Sequence, residues 1–327
     1  MRIELAAFYV LALGPWHATA QEVNPDAIQT EACRTFHEDI SRKRDNGQLA
    51  EAGAALSQAL AAPENVLGES CGWLTVSNMA TVFALSGRIA EAEALAKQSL
   101  RMMDKWYAPG DPVRFRPLHL LSSMQFQQAK WGKARETFRH LQALHIEQPG
   151  DRALVHGLAA LWSEVEGRYQ DAEREYFSAI AAWKQAGRDE NADMATMFIG
   201  VGTLYLKQGR YRESAMSLDR ALAIVNTARD AVPTDRVKVL AVRAALHTRQ
   251  GQWREAGEEL RSAISIADKD VRLDPPELKA ILACYAFVLR KGNRKAEARS
   301  VEARAAAIRL PEWSKAMVDV TELRSRK

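Results

Sequence analysis

The sequence predicts an all-α solenoid of about seven helix hairpins, because one small residue recurs along its 327 residues at intervals of 40, 42, 38, 42, 42 and 42. Two further columns keep the same phase, 12 residues before and 7 residues after, and six of the seven residues in each are small. Helices approach closely only where the side chains at their crossing are small. Repetition at this period is typical of a solenoid. We call the recurring positions the marker residues: Ala52, Ala92, Ala134, Ala172, Ser214, Ala256 and Ala298.

Each unit has the pattern of two helices joined by a tight turn. In the fifth unit, residues 195–207 and 212–224 both carry apolar side chains at spacings of three and four, as in a helix with one buried stripe. The piece between them contains Gly209, which breaks the helix and turns the chain back. Equivalent glycines occur in all the other units except the third, where the turn reads Ala129-Lys-Trp131.

The two ends of the chain differ from the repeats. Residues 1–20 carry Arg2, a short apolar segment at 5–13, a helix-breaking Gly-Pro pair and small residues before Gln21, which predicts a signal peptide and a periplasmic or secreted protein. An N-terminal amphipathic helix is the alternative. Residues 21–310 form the predicted repeat array, and residues 311–327, with Trp313 and Met317 four apart, predict a capping helix and tail. A tail that docks a partner is the alternative there.

The composition excludes two classes of partner. The formal net charge is only +4, from 45 basic and 41 acidic residues, whereas nucleic-acid binding requires a concentrated basic surface. Beyond the N-terminus there is no apolar run of 18 residues, so we expect no integral membrane segment after signal cleavage. The style of the signal and the composition suggest a bacterial source.

Three cysteines remain after the predicted cleavage site. Cys33 and Cys71 lie 19 and 21 residues before their markers, near the starts of the first helices of adjacent units, which places them within reach of a disulfide. Two free buried thiols are the alternative. Cys284 lies in an apolar helix and is expected to be a buried free thiol.

No motif predicts catalysis. The Zn-protease, P-loop, Cys-x-x-Cys and Gly-x-Ser-x-Gly patterns are absent, and His140 and His145 are five apart, a poor spacing for a metal pair on a helix. We therefore expect a non-catalytic protein with no cofactor and no metal. An enzyme, or a regulatory subunit of an envelope enzyme complex that binds a peptide or glycan, is the alternative.

The small-residue columns and the Gly-Arg-Tyr turns at Gly167 and Gly209 resemble the tetratricopeptide repeat, and Gly202-Thr-Leu-Tyr205 is similar to that family's first-helix signature. The resemblance covers about residues 30–308. It implies a right-handed superhelix. Because most units have about 42 residues rather than 34, the chain resembles the longer arrays of kinesin light chain-like proteins.

That resemblance also implies a concave groove lined by first-helix residues at fixed offsets before each marker. Those offsets carry eight Lys or Arg residues against two acids, Asp45 and Glu164, with apolar residues in the middle units. We therefore expect an exported scaffold that binds a peptide or protein segment, acidic under this hypothesis. Chance bias and simple packing are the alternative. The candidate groove residues are Arg116, His119, Leu161, Ile199, Lys207, Lys238, Arg249, Arg290 and Lys291.

Overall fold

The computed structural model describes residues 30–309 apart from 46–47, 62–70, 87, 189, 230, 270–272 and 274. Within those residues the chain is all-α, with fourteen α-helices and no strand, so the predicted class of an all-α repeat solenoid is confirmed. The predicted signal peptide and the predicted capping helix lie outside the described residues. The helices are α1 (Glu31–Asp45), α2 (Leu49–Ala61), α3 (Gly72–Leu85), α4 (Ile89–Met103), α5 (Phe115–Gln127), α6 (Trp131–Gln142), α7 (Pro149–Val165), α8 (Tyr169–Gln185), α9 (Ala192–Lys207), α10 (Tyr211–Thr227), α11 (Pro233–Arg249), α12 (Trp253–Ala267), α13 (Pro275–Lys291) and α14 (Lys295–Ala307).

Consecutive helices pair into seven hairpins, each with an odd-numbered first helix and an even-numbered second helix. The marker residues lie on the second helices, and each is completely buried. Two cross-hairpin hydrogen bonds show what the small columns do. The hydroxyl of Ser214 donates to the carbonyl of Gly202 at 2.8 Å, and that of Ser122 donates to the carbonyl of Ala134 at 3.3 Å. The marker column and the column 12 residues before it therefore meet backbone to backbone, which leaves room only for small side chains.

The hairpin turns of the last five units share a backbone conformation rather than a residue type. Gly167, Gly209 and Gly251, each five residues before a marker, have φ values of 77°, 77° and 74°. At the equivalent positions, Ala129 has φ 54° in the glycine-free third turn, and Asn293 has φ 60° in the last turn, one residue after Gly292. Glycine adopts this left-handed region without a steric cost, whereas alanine does not.

In two of the described turns, the basic residue that follows the left-handed residue joins neighbouring hairpins. Arg210 pairs with Glu213 in its own hairpin at 2.9 Å and with Glu173 of the preceding hairpin at 3.0 Å. Lys130 pairs with the buried Glu93 of the preceding hairpin at 2.5 Å. The basic residues of the third and fifth turns therefore take part in the packing of one repeat on the preceding repeat.

The fold divides within α7 into two compact units. The described part of the N-terminal unit covers residues 30–155, in which first helices α1, α3 and α5 contact one another in sequence. The described part of the C-terminal unit covers residues 156–309, in which α9 contacts α11.

Candidate functional site

All nine candidate groove residues lie on first helices, and the two units divide them. Arg116 and His119 lie on α5 in the N-terminal unit. The C-terminal unit holds the other seven: Leu161 on α7, Ile199 and Lys207 on α9, Lys238 and Arg249 on α11, and Arg290 and Lys291 on α13.

Leu161 and Ile199 belong to the core of the C-terminal unit. Their exposed fractions are only 4% and 1%. The packing alternative therefore describes these two side chains better than a ligand-facing floor does.

Lys207 is neutralised by a carboxylate from the preceding hairpin. Its ammonium donates to Glu164, and the two side chains are 9% and 2% exposed. The hydroxyl of Tyr176 donates to the other oxygen of Glu164 at 2.5 Å. Tyr176 lies directly over Gly200, because a Cβ at that position would be 2.4 Å from its Cε1 atom. Lys207 therefore stabilises the stacking of α7 on α9, since breaking one partner of a buried pair leaves an uncompensated charge.

The two cations at the end of α13 are also engaged. Arg290 makes a two-pronged ion pair with Glu302 on α14, with both N–O distances at 2.6 Å. The ammonium of Lys291 lies 5.5 Å from the centre of the Phe287 ring. Because both cations are engaged within the last hairpin, they leave little uncompensated positive charge on the first-helix surface.

The remaining two cations, Lys238 and Arg249, are different. Neither forms an ion pair or a side-chain hydrogen bond with any residue that the structure describes. Eleven residues on a helix span about 16 Å and three turns, so both lie on one face of α11. Ala245, which is 3% exposed, lies between them on that face. Lys238 is 5% exposed, whereas Arg249 is exposed. We call Lys238, Ala245 and Arg249 the α11 face.

The N-terminal unit gathers polar side chains from the first, third and fourth hairpins. His119 is buried and stacks on Phe115 with ring centres 5.7 Å apart, and burial lowers its pKa to about 4. Burial, together with the positive charge of Arg116, also lowers the pKa of His37 to about 4. Burial raises the pKa of Asp151 to about 7, an effect that Arg116 opposes. Both histidines are therefore neutral near pH 7 and do not add to a basic surface.

Asp151 is not among the candidate groove residues, although a pattern in the sequence points to it. Carboxylates recur every 42 residues in the first turns of four first helices, where the helix dipole stabilises a negative charge. They are Asp151, Asp193, Asp235 and Glu277. Asp235 also accepts a hydrogen bond from the backbone N–H of Val232 at 2.9 Å, as a helix cap.

Cys33 and Cys71 form a disulfide in the structure, with Cα atoms 6.0 Å apart, and Cys284 is buried and is not part of a disulfide. Next to the disulfide lies His37, whose Nε2 atom is 3.3 Å from the sulfur of Cys71. The importance of His37 was not predicted. The signal is its position four residues after Cys33, which puts the two side chains on one face of α1.

Among the described residues, no helix combines the length and the apolar character needed to cross a membrane.

Comparison with known proteins gives a family match for part of the chain. Residues 70–146 match the tetratricopeptide repeat model. The kinesin light chain-related protein 1 of Arabidopsis thaliana is 22% identical over 194 residues, which are 56% of this chain and 31% of that protein. The predicted resemblance to tetratricopeptide repeats of the kinesin light chain type is thereby confirmed. The chain matches less than a third of that relative's length.

Solved structures agree on the fold. The structure of NprR in complex with its cognate peptide NprX has a TM-score of 0.59 at 14% identity, covering 90% of this chain and 84% of that one. The apo form of RapI has a TM-score of 0.58 at 10% identity, covering 87% and 98%. At these identities the likeness shows the fold alone.

Proposed function

We propose, from the premise that this chain is an α-solenoid carrying tetratricopeptide repeats, that it is a non-catalytic scaffold that binds an acidic segment of another protein on the α11 face. The fold is consistent with a protein-interaction scaffold. The choice of surface and of ligand charge rests on Lys238 and Arg249.

The proposal rests mainly on Lys238, which has no counter-charge among the described residues although the residue as a whole is only 5% exposed and its ammonium keeps a small contact with solvent. Removing a cation from water costs free energy unless a charged or hydrogen-bonding partner compensates. The other buried cation of this surface, Lys207, has such a partner in Glu164. A carboxylate of a bound segment would supply the same partner to Lys238.

The spacing of the α11 face suits an extended segment. Lys238 and Arg249 are about 16 Å apart, which is the length of about five residues of extended chain. Two acidic side chains separated by four or five residues can therefore contact both cations. A peptide is also the ligand of the similarly folded NprR, which supports a peptide as the class of ligand.

Fluorescence anisotropy with three labelled 12-residue peptides tests this proposal. The peptides share one apolar framework and differ only in whether their polar positions carry Glu, Lys or Ser. We expect the Glu peptide to bind most tightly. A charge-assisted hydrogen bond contributes about 1.5–3 kcal/mol, so Lys238→Met should weaken its binding roughly tenfold or more. Arg249→Glu should weaken binding further by repelling the peptide.

Arg212→Glu is the matched control, because Arg212 is exposed on second helix α10 and its reversal changes the net charge equally. It should leave the affinity unchanged. Equal affinity for all three peptides, or equal losses in the Arg212 and Arg249 variants, would contradict the proposal.

We also propose that the chain is exported with removal of residues 1–20, on the basis of the pattern around Arg2 and Gln21. N-terminal sequencing of the protein recovered from outside the cytoplasm should begin at Gln21. Recovery of the chain only from the cytoplasm, with residues 1–20 retained, would overturn this part.

A further inference from the structure

Three metal-ligating side chains converge in the N-terminal unit. Cys33 and His37 lie one helical turn apart on α1, and Cys71 immediately precedes α3. Their ligand atoms all lie within 4.8 Å of one another. All three residues are buried, with exposed fractions of 2–3%.

A neighbouring side chain fixes the orientation of the histidine. In the disulfide form, Nδ2 of Asn78 on α3 lies 2.8 Å from Nδ1 of His37, so Asn78 donates and Nδ1 accepts. The opposite nitrogen, Nε2, therefore faces the Cys71 sulfur at 3.3 Å, with the Thr75 hydroxyl also at 3.3 Å. To bind a metal through Nε2, His37 must carry its proton on Nδ1. Turning the Asn78 amide about its terminal bond presents Oδ1 as the acceptor for that N–H, which is the kind of hydrogen bond that typically orients a metal-binding histidine.

The distances suit a tetrahedral metal ion once the sulfur atoms separate. Zinc binds cysteine sulfur at about 2.3 Å and histidine nitrogen at about 2.0–2.1 Å, which puts neighbouring N and S ligands about 3.5 Å apart. The separation of 3.3 Å between His37 Nε2 and Cys71 Sγ is close to this value. The Cα atoms of the two cysteines are 6.0 Å apart, so rotation of the side chains can move the sulfurs from bonding distance to about 3.8 Å.

We propose that Cys33, Cys71 and His37 bind one Zn²⁺ ion when their disulfide is reduced, so that the disulfide and the metal alternate in one buried pocket. A dithiol reductant supplies two electrons and two protons, which break the S–S bond and give two thiols while the dithiol becomes a disulfide. Zn²⁺ then displaces the two thiol protons and binds both thiolates and His37 Nε2, and a solvent molecule completes the four ligands.

The reduced state is one that every molecule passes through. A newly made chain carries both thiols before the disulfide forms, and two thiolates with an imidazole are a ligand set that zinc prefers. Bound zinc would hold α1 against α3 in that interval, as the disulfide does afterwards. The proposal concerns the N-terminal unit alone and does not depend on the peptide site.

Metal titration of the reduced full-length protein tests the proposal. The disulfide is opened with a phosphine reductant under nitrogen, the reductant is removed, and Zn²⁺ is titrated against a chromogenic chelator. Co²⁺ serves as a spectroscopic probe, because thiolate ligation gives intense near-ultraviolet absorption and tetrahedral geometry gives visible bands. We expect one equivalent of metal, and none in the oxidised protein.

Variants assign the ligands. Cys33→Ser combined with Cys71→Ser should abolish binding, and His37→Gln should weaken it by more than tenfold. Asn78→Ala should weaken it about 10–100-fold, the usual effect of losing the partner that orients a metal ligand. Cys284→Ser is the matched control, since Cys284 is a buried cysteine in the other unit, and it should bind normally.

Circular dichroism measures whether the reduced protein and its variants keep their helical fold. Where reduction alone lowers the helicity, Zn²⁺ should restore it. Failure of the reduced protein to take up metal would overturn the proposal. So would failure of Zn²⁺ to restore helicity that reduction has removed. So would binding that persists in His37→Gln or is lost in Cys284→Ser.

Discussion

Replacing Ala129 with glycine should stabilise the third hairpin. Ala129 has φ 54°, a conformation in which the Cβ atom of an L-residue is crowded by the backbone. That crowding costs about 1–2 kcal/mol, whereas glycine adopts the conformation freely. Glycine also increases the entropy of the unfolded chain, and this offsets about 0.4–1 kcal/mol of the stabilisation. The net stabilisation should be about 0.5–1 kcal/mol.

Hydrogen exchange of α5 and α6, followed by mass spectrometry, measures this effect locally. A gain of about 0.5–1 kcal/mol corresponds to roughly two- to fivefold slower exchange of their protected amides. Ala143→Gly is the matched control, because Ala143 directly follows α6 with φ −77°, where glycine relieves no crowding and costs about 0.4–1 kcal/mol through the entropy of the unfolded chain. Equal acceleration of exchange by both substitutions would show that the left-handed conformation of Ala129 carries no steric cost.

Three further perturbations follow from the contacts. Gly200→Ala should lower the free energy of unfolding in urea by about 1–3 kcal/mol, because the new Cβ would be 2.4 Å from Cε1 of Tyr176. His119 keeps a pKa of about 4 in the folded state against 6.5 when unfolded, so the unfolded chain binds the extra proton and stability falls as the pH drops from 6.5 towards 4. The contribution of His119 should reach about 1.4 kcal/mol per pH unit and be missing from the slope of His119→Gln, which keeps the similar contribution of His37; equal slopes in the two proteins would refute it. Cys33→Ser with Cys71→Ser opens a cross-link spanning 38 residues, which should lower stability by about 4 kcal/mol in the chain-entropy model, and an unchanged urea midpoint would contradict this.

The fold could be predicted in detail because packing residues carry its period. Small side chains are required wherever two helices cross closely, so the spacing of small residues alone predicts the contact between Ser214 and Gly202. The third turn could not be predicted from composition. Ala129 takes the left-handed conformation because the turn's hydrogen bonds demand it, including that from the N–H of Lys130 to the carbonyl of Gln125 at 2.9 Å.

The candidate site could be predicted only in outline. Position before the marker identifies the helix that carries a residue, but not the side chains that neutralise it. Lys207 and Glu164 are 43 residues apart in sequence and form a buried pair through the stacking of two hairpins. Likewise, the disulfide was a hypothesis from the positions of two cysteines, whereas the polar surroundings of His37 depend on how α1 packs on α3.

Site-specific photocrosslinking measures directly whether a bound segment contacts the α11 face. A photoreactive benzophenone residue is placed at Gln250, beside Arg249, or at Met216, which is 66% exposed on second helix α10. With the labelled Glu peptide, we expect a crosslink from position 250 that excess unlabelled peptide abolishes, and none from position 216. Equal crosslinking at both positions, or crosslinking at 216 alone, would contradict it.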